Sequence, residues 1–234
     1  MTMINLTIPI YNGEKTLESK IGELTAFLDK RPYGRELFLV LSNNCSTDST
    51  GEICESLISK HDLKIIHHYI PLKGKGRAIK ESWQSYPADQ HWFMDMDLST
   101  RLESLDEMHD LLDKYHIVIG SRFLKESRVT RSLKRKIISK GYNALLDMAF
   151  KKKFSDAQCG FKGVTSRVVE ELIPKIKSND FFFDTELLIL AEREGYSIKE
   201  IPVCWVEDEH STVKLYRDIP KFLRHTAELY NRLR

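Results

Sequence analysis

A chain of 234 residues, 41% hydrophobic and 30% charged, is the size of one large α/β domain and can build a sizeable core. Its net charge of +2 gives no global field that would attract nucleic acid, and its apolar runs fall well short of the roughly 18 residues that span a bilayer. Four cysteines without CxxC spacing, and a start with no basic segment, apolar core and small-residue cleavage site, point to free thiols in a reducing, cytoplasmic compartment.

Ile4 to Ile10 is rich in β-formers, and Tyr11-Asn12-Gly13 then turns into a helical spacing through Leu17, Ile21, Leu24 and Leu28. Glu36 to Leu41 reads as a second strand, followed by a polar loop from Asn43 to Thr50 in which Ser46 or Thr47 caps a helix carrying Ile53, Leu57 and Ile58. Lys64 to Tyr69 is a third strand, Gly74 to Arg77 a glycine-punctuated loop, and Ala78 to Ser85 the next helix. After the apolar run His91 to Met94 come a helix over Leu102 to Lys114 and a strand over Ile117 to Gly120. Unbroken alternation of this kind predicts a mostly parallel central sheet flanked by helices and joined by right-handed crossovers. Beyond Gly120 the spacing predicts a basic helix (Arg131 to Phe150), a strand (Cys159 to Thr165), a helix (Asp184 to Glu194), a strand (Ser197 to Val203) and a last basic helix. With no repeat or linker, residues 1–234 form one domain, the second half elaborating the sheet of the first.

The run His91-Trp92-Phe93-Met94 ends on Asp95-Met96-Asp97. An apolar strand of a parallel sheet delivers such residues to its C-terminal edge, where open α/β sheets place ligands. Alternate residues of an extended strand share a face, so both carboxylates reach one site and suit Mg2+ or Mn2+, which leave positions for phosphate oxygens. The same residues also suit a plain strand end, with Asp97 or Ser99 capping a helix. Lys75, between Gly74 and Gly76, puts a cation where the backbone can approach a diphosphate.

Taken together, these segments resemble the inverting family 2 glycosyltransferases of the GT-A fold, and within them the polyprenyl-phosphate hexose synthases. The matching stretches are Ile8 to Asn12, Ser46 to Thr50, Gly74 to Ala78, Met94 to Ser99, Gly120 to Arg122, Asp156 to Lys162, Phe183 to Leu188 and Glu200 to Trp205. Asp156-Ala157-Gln158-Cys159-Gly160-Phe161-Lys162 is most similar to the dolichyl-phosphate β-glucosyltransferases and their prokaryotic relatives. The resemblance implies transfer of a hexose, glucose or mannose, from a nucleotide sugar of the UDP-glucose or GDP-mannose type to a polyprenyl or dolichyl phosphate, with Mg2+ or Mn2+. It implies residues 1–120 as the nucleotide-sugar half, where Pro9, Tyr11, Asn12, Asn43, Asn44 and Asp48 hold base and ribose near Lys75. Asp97 becomes the main metal ligand and Asp95 a ligand of metal or ribose; Arg122, Arg131 and Lys214 face phosphates. In residues 121–234, the acceptor half, Asp156, Asp184 and Glu186 lie on the acceptor side of the sugar, and Gln158 joins this catalytic set. Without the resemblance, Asp156 is equally a turn cap, and Asp184 and Glu186 surface acids. Two alternatives stay open: transfer to a sugar hydroxyl with Asp156 as base, and a nucleotide-sugar-binding module without turnover.

Two departures from the family pattern fall on base and ribose recognition: Asn43-Asn44-Cys45 stands where Asp-Asp-Gly is common, and Gly13 where an acid follows Asn12. An amide at Asn44 is expected to relax the reading of the base. The histidines His67 and His68 read as structural or solvent-facing, and His210 as a candidate to close over diphosphate.

Arg128, Arg131, Lys134, Arg135, Lys136, Lys140, Lys151, Lys152 and Lys153 face a single acid, Asp147, while Leu133, Ile137, Ile138, Tyr142, Leu145, Leu146 and Ala149 recur at helical spacing. Such a helix is either a buried stripe with a solvated basic back or an interfacial helix that holds the protein peripherally on an anionic membrane at its cytoplasmic face.

Overall fold

The computed structural model describes residues 2–206 and 215–234. Its strands are β1 (Ile4–Ile10), β2 (Leu37–Asn44), β3 (Ile65–Ile70), β4 (Gln90–Met94), β5 (Ile117–Ser121), β6 (Arg128–Thr130), β7 (Phe161–Thr165), β8 (Ile198–Pro202) and β9 (Cys204–Val206). The α-helices are α1 (Leu17–Leu28), α2 (Thr50–Ile58), α3 (Lys75–Ser85), α4 (Ser104–Leu112), α5 (Leu133–Phe150), α6 (Ser166–Glu171), α7 (Phe183–Arg193) and α8 (Leu215–Arg232). Seven strands form one sheet in the order β3-β2-β1-β4-β7-β5-β8, and β6 pairs with β9 beside it.

Every neighbour pair in the large sheet is parallel except those of β7, which runs antiparallel between β4 and β5. Period-two alternation divides the core. Leu6, Ile8, Leu39, Leu41 and Trp92 pack beneath α1, α2 and α4, whereas Phe93, Ile117, Ile119 and Val164 pack beneath α3, α6 and α7. The expected mostly parallel sheet between helical layers is therefore the observed one. Polar residues on the inner strands are paired: Thr7 Oγ1 lies 2.7 Å from Ser82 Oγ, and Asn5 donates to the Tyr86 carbonyl at 2.9 Å.

Several boundaries differ from the sequence reading. β2 runs on to Asn44, because β3 pairs with it through Tyr69 and Ile70, so Asn43 and Asn44 are strand residues rather than loop. The cap of α2 sits at Ser49, not at Ser46 or Thr47, and the Asp48 carboxylate takes the Thr50 N–H at 3.1 Å. Lys75 and Gly76 belong to the first turn of α3, held by Arg77 N–H donating to the Asn179 carbonyl at 3.0 Å. β7 starts only at Phe161, and nothing in its composition announced its reversed direction.

Helix α5 is not a buried stripe. Leu133 is 76%, Ile137 71% and Met148 79% exposed, and only Asn143 and Leu146 are buried along its length. Just past its end Lys152 turns inward, donating to the Phe154 carbonyl at 2.7 Å and pairing with Asp147 of the helix at 3.0 Å. Among the described residues no helix is long and apolar enough to cross a membrane, and all four cysteines are free thiols.

Candidate active site

At the C-terminal edge of the sheet a cleft of about 550 Å3 opens between the end of β4 and the helices α5 and α8. Lys75, Asp95, Asp97, Arg122, Arg131 and Gln158 line its polar end; Ile137, Ile138, Tyr142, Leu145, Phe222 and Leu223 line the rest.

Asp95 and Asp97 reach the cleft by a different route from the one the spacing suggested. β4 ends at Met94, and Asp95 to Leu98 form a tight turn in which Leu98 N–H donates to the Asp95 carbonyl at 3.0 Å. Leu98 has φ 51°, a left-handed conformation disfavoured for its branched side chain. The turn is clamped: Asp97 accepts the Ser99 N–H at 2.9 Å, Asp95 N–H donates to the Gly160 carbonyl at 3.0 Å, and the Ser99 carbonyl accepts from Val206 of β9. A Cβ at Gly160 would lie 1.8 Å from the Asp95 carboxylate, so any other residue here would push that side chain out of its place.

Behind the turn lies a buried chain of charge. Lys75 Nζ is 2.8 Å from Asp95 and 3.5 Å from Asp184, and Asp184 is 2.6 Å from Lys162 Nζ. Lys162 also donates to the Cys159 carbonyl. Burial opposes the charge on Lys75, but Asp184 and Asp95 outweigh it and raise its pKa. Arg122 embraces the fully buried Asp156: Nε donates to Oδ2 at 2.7 Å, Nη2 to Oδ1 at 2.9 Å, and the Arg122 N–H adds a third bond at 3.0 Å. Burial pushes the Asp156 carboxyl up, yet the Arg122 charge and hydrogen bonds prevail and hold it below the ordinary carboxylate range. Glu186 accepts from the backbone of Lys177 at 3.0 Å and Ser178 at 2.8 Å and pairs with Arg232 of α8. Asp156, Asp184 and Glu186 are thus interior, paired groups rather than surface acids, and none of the three lines the cleft.

The amino-terminal motif forms the rim beside β1. The Asn12 side chain accepts the Thr47 N–H at 2.9 Å, the Asn12 backbone N–H donates to Ser46 Oγ at 3.0 Å, and Asp48 takes the Glu14 N–H at 3.2 Å. Tyr11 lies under Lys73, whose Nζ is 3.3 Å from the ring centroid. Pro9, half-buried, pairs with Ser42 in the ladder. The two departures from the family pattern have structural causes. Cys45 holds φ 62°, so it keeps the left-handed turn at a position where glycine is common. At Gly13 a Cβ would meet Met96 Sδ at 2.6 Å, so a larger residue there requires the Met96 side chain to move.

Asn43 and Asn44 are braces. Asn44 donates to the Ile10 carbonyl at 2.6 Å and accepts the Gly74 N–H at 3.0 Å, tying β1 to the start of α3. Asn43 accepts the Ser46 N–H at 3.2 Å and lies 3.3 Å from His67, which pairs with Glu55 at 2.6 Å. With both polar ends engaged in the interior, Asn44 has no edge left with which to relax the reading of a base. Asn44→Asp should therefore lower stability by about 1–3 kcal/mol, the loss of a buried donor. A urea titration of the variant beside a base-competition assay checks this; a sharpened base preference at unchanged stability would reverse the assignment.

Lys214 and His210 lie outside the described residues. Lys162, Tyr142, Thr185 and Arg135 escaped functional attention in the sequence. The available signal was a lone lysine inside an apolar strand, Phe161-Lys162-Gly163-Val164, since an unpaired charge is not tolerated there. Arg135, grouped with the surface cations, lines the cleft one turn after Arg131.

The sequence profile described as "Glycosyl transferase family 2" matches residues 6–173. Glycosyltransferase AglD of Haloferax volcanii is 28% identical over 92% of this chain, which spans 35% of that protein. The dolichyl-phosphate beta-glucosyltransferase of Saccharomyces cerevisiae is 26% identical over 94% of this chain and 72% of its own length. The human protein of that name is 27% identical, with 89% and 68% covered. Glucosyl-3-phosphoglycerate synthase from Mycobacterium tuberculosis, solved with Mn2+, uridine diphosphate and phosphoglyceric acid, superposes with a TM-score of 0.72 at 14% identity, covering 97% of this chain and 77% of that one. The same enzyme was also solved with Mg2+ and uridine diphosphate, with a TM-score of 0.68 at 14% identity over 97% and 78% of the two chains. The fold is that of the GT-A glycosyltransferases.

Proposed function

The chain belongs to glycosyl transferase family 2, and from that membership we propose that it moves a hexose from a nucleotide sugar to a polyprenyl phosphate, with inversion, in the cleft between β4 and α5. The observation that carries this reading is the continuity of the cleft: two carboxylates and three arginines at one end run without a break into an apolar gallery between α5 and α8. A phosphate on a long hydrocarbon matches both ends.

The carboxylates also bear on the acceptor. A sugar hydroxyl needs a general base within reach, with a pKa near the working pH. Asp156, the residue the alternative would use, is locked in its arginine pair and its pKa is lowered, so it is a weak base facing away from the cleft. A phosphate acceptor, with a second pKa of about 6, attacks already ionised. In the proposed step one of its oxygens bonds to the anomeric carbon from the face opposite the diphosphate, whose glycosidic oxygen leaves with the electron pair. Arg122 and Arg131 would neutralise the incoming phosphate, and Lys75 the departing diphosphate. Arg122 is suited to this because Asp156 fixes its guanidinium in advance.

A divalent ion fits the turn. Asp95 keeps 42% of its side chain exposed beside Asp97, and two hard carboxylates with room for phosphate oxygens are what Mg2+ or Mn2+ takes. Asp97 and Asp95 would hold it, and it would supply positive charge to the leaving diphosphate. Tyr11, Asn12 and the loop through Asp48 would carry the nucleoside.

Incubating the protein with UDP-glucose or GDP-mannose, Mg2+ or Mn2+ and a short prenyl phosphate should give a prenyl-phosphate hexose, while the corresponding prenol stays unmodified. Product from the prenol instead would favour the hydroxyl-acceptor reading. The exposed face of α5 supports peripheral attachment to an anionic membrane, since Leu133, Ile137 and Met148 stand among Lys134, Lys136 and Lys140. Each basic residue near anionic lipid contributes about 1 kcal/mol. Changing Lys134, Lys136 and Lys140 to Gln should abolish most co-sedimentation with phosphatidylserine vesicles at low salt, and the parent should itself release as salt rises. Arg135 stays out of that set because it lines the cleft. Equal, salt-insensitive binding of parent and variant would remove the membrane from this reading.

A further inference from the structure

Two lysines share one buried carboxylate. Asp184, whose side chain is 2% exposed, has Oδ1 2.6 Å from Lys162 Nζ and Oδ2 3.5 Å from Lys75 Nζ. The two ammoniums also share a ring, for Lys75 Nζ lies 5.1 Å and Lys162 Nζ 5.6 Å from the centroid of Phe93. They differ in what else they meet. Lys162 is wholly interior, and its second partner is the Cys159 carbonyl. Lys75 lines the cleft, and its second partner is the half-exposed Asp95, 2.8 Å away.

The distances rank the two claims on Lys75. It stands closer to the outer carboxylate than to the inner one, although the inner one is far more deeply buried. A carboxylate in the interior is strongly destabilised without a partner, so Asp184 draws on any cation within its reach. Lys162 meets that demand from the interior side. Lys75 is thereby left leaning outward, toward Asp95 and the cleft. Without the Lys162 charge, Asp184 would turn to Lys75 and draw its ammonium inward, away from any phosphate in the cleft.

We propose that Lys162 is a positioning residue for the nucleotide sugar: by neutralising Asp184 it frees Lys75 to act on the diphosphate. The inference rests on the assignment of Lys75 to the departing diphosphate above. It is tested by calorimetric titration of UDP and UMP, and of GDP and GMP, in excess chelator, so that the second phosphate is read without a divalent ion. The readout is the ratio of the monophosphate Kd to the diphosphate Kd. The parent should prefer the diphosphate, and Lys75→Met should lower that ratio about tenfold. Lys162→Met should lower it to a similar extent with the monophosphate Kd little changed. Adding Asp184→Asn to Lys162→Met should restore the ratio, because no interior carboxylate is then left to claim Lys75; a lysine that only supports the fold gives no such recovery. In a Lys75→Met background, Lys162→Met should leave the ratio where it is. Should Lys162→Met not fold, Asp184→Asn alone serves: it removes the inner claim on Lys75, and the ratio should rise above that of the parent. A ratio unchanged in Lys162→Met, a loss that Asp184→Asn does not reverse, a loss that persists in the absence of Lys75, or a ratio in Asp184→Asn no higher than the parent's overturns the inference while Lys75 keeps its assignment. A parent without preference for the diphosphate, or one whose preference survives Lys75→Met, overturns both.

Discussion

Replacing Asp97 with Asn should lower transfer by about a hundred- to a thousandfold and leave the folded state intact. The side chain lines the cleft and accepts the Ser99 N–H, a bond that the carbonyl of an asparagine also makes. Stability should therefore change little. The charge is another matter: Asp97 would help hold the divalent ion that supplies positive charge to the leaving diphosphate, and losing one preorganised electrostatic contribution of that kind costs about 2.7–4 kcal/mol in the barrier. Donor binding should also lose its dependence on Mg2+ or Mn2+. Initial rates with and without chelator, beside a thermal melt, separate the two effects. A variant that retains full activity in excess chelator would remove the divalent ion from the reaction.

Asp156→Asn should behave in the opposite way, with its first effect on the fold. Arg122 would remain interior with an amide N–H2 turned toward its own N–H groups, and breaking a buried pair in this manner costs about 3–5 kcal/mol. The pH dependence gives a second reading. The Asp156 carboxyl is held below its unfolded value of about 4, so its contribution to stability is present above that pH and is lost as pH falls through the lower folded value. The parent should thus lose stability on acidification below about pH 4, and in Asp156→Asn that part of the slope should be missing. Urea midpoints at neutral and acid pH decide the matter. A variant as stable as the parent at neutral pH would mean that Arg122 finds another counter-charge.

Much of this was legible in the chain. β-rich runs separated by 3.6-period segments fixed the first five strands, and the apolar run into Asp95-Met96-Asp97 marked the edge at which the cleft opens. What could not be read were features decided by partners distant in sequence. Asn43 and Asn44 look like loop residues because amides favour turns, yet β3 pairs with them and holds them in the ladder. Asp184 and Glu186 look like surface acids of an amphipathic helix until Lys162 and Arg232 arrive from a strand and from the last helix. Leu133 and Ile137 show the spacing of a buried stripe but remain uncovered, since periodicity states which residues share a face and not what lies against it.

The reversed strand β7 bears on how the molecule comes into being. β1 to β4 are consecutive in sequence and form one contiguous block of the sheet, so they can assemble as the chain emerges: the first two crossovers join neighbouring strands, and the third carries the chain back across β2 and β1 to set β4 beside β1. β5 cannot join them: its route to β4 is through β7, made some forty residues later. Until residues 161–165 enter, the sheet stops at β4, and the turn after it lacks the Gly160 carbonyl, the Lys162 ammonium and the second pairing partner of its own strand. Closure of that gap and completion of the carboxylate turn are one event. A nascent or partly unfolded chain therefore has the rim beside β1 without the completed carboxylate turn, and a ligand that needs both should bind only after β7 has been inserted.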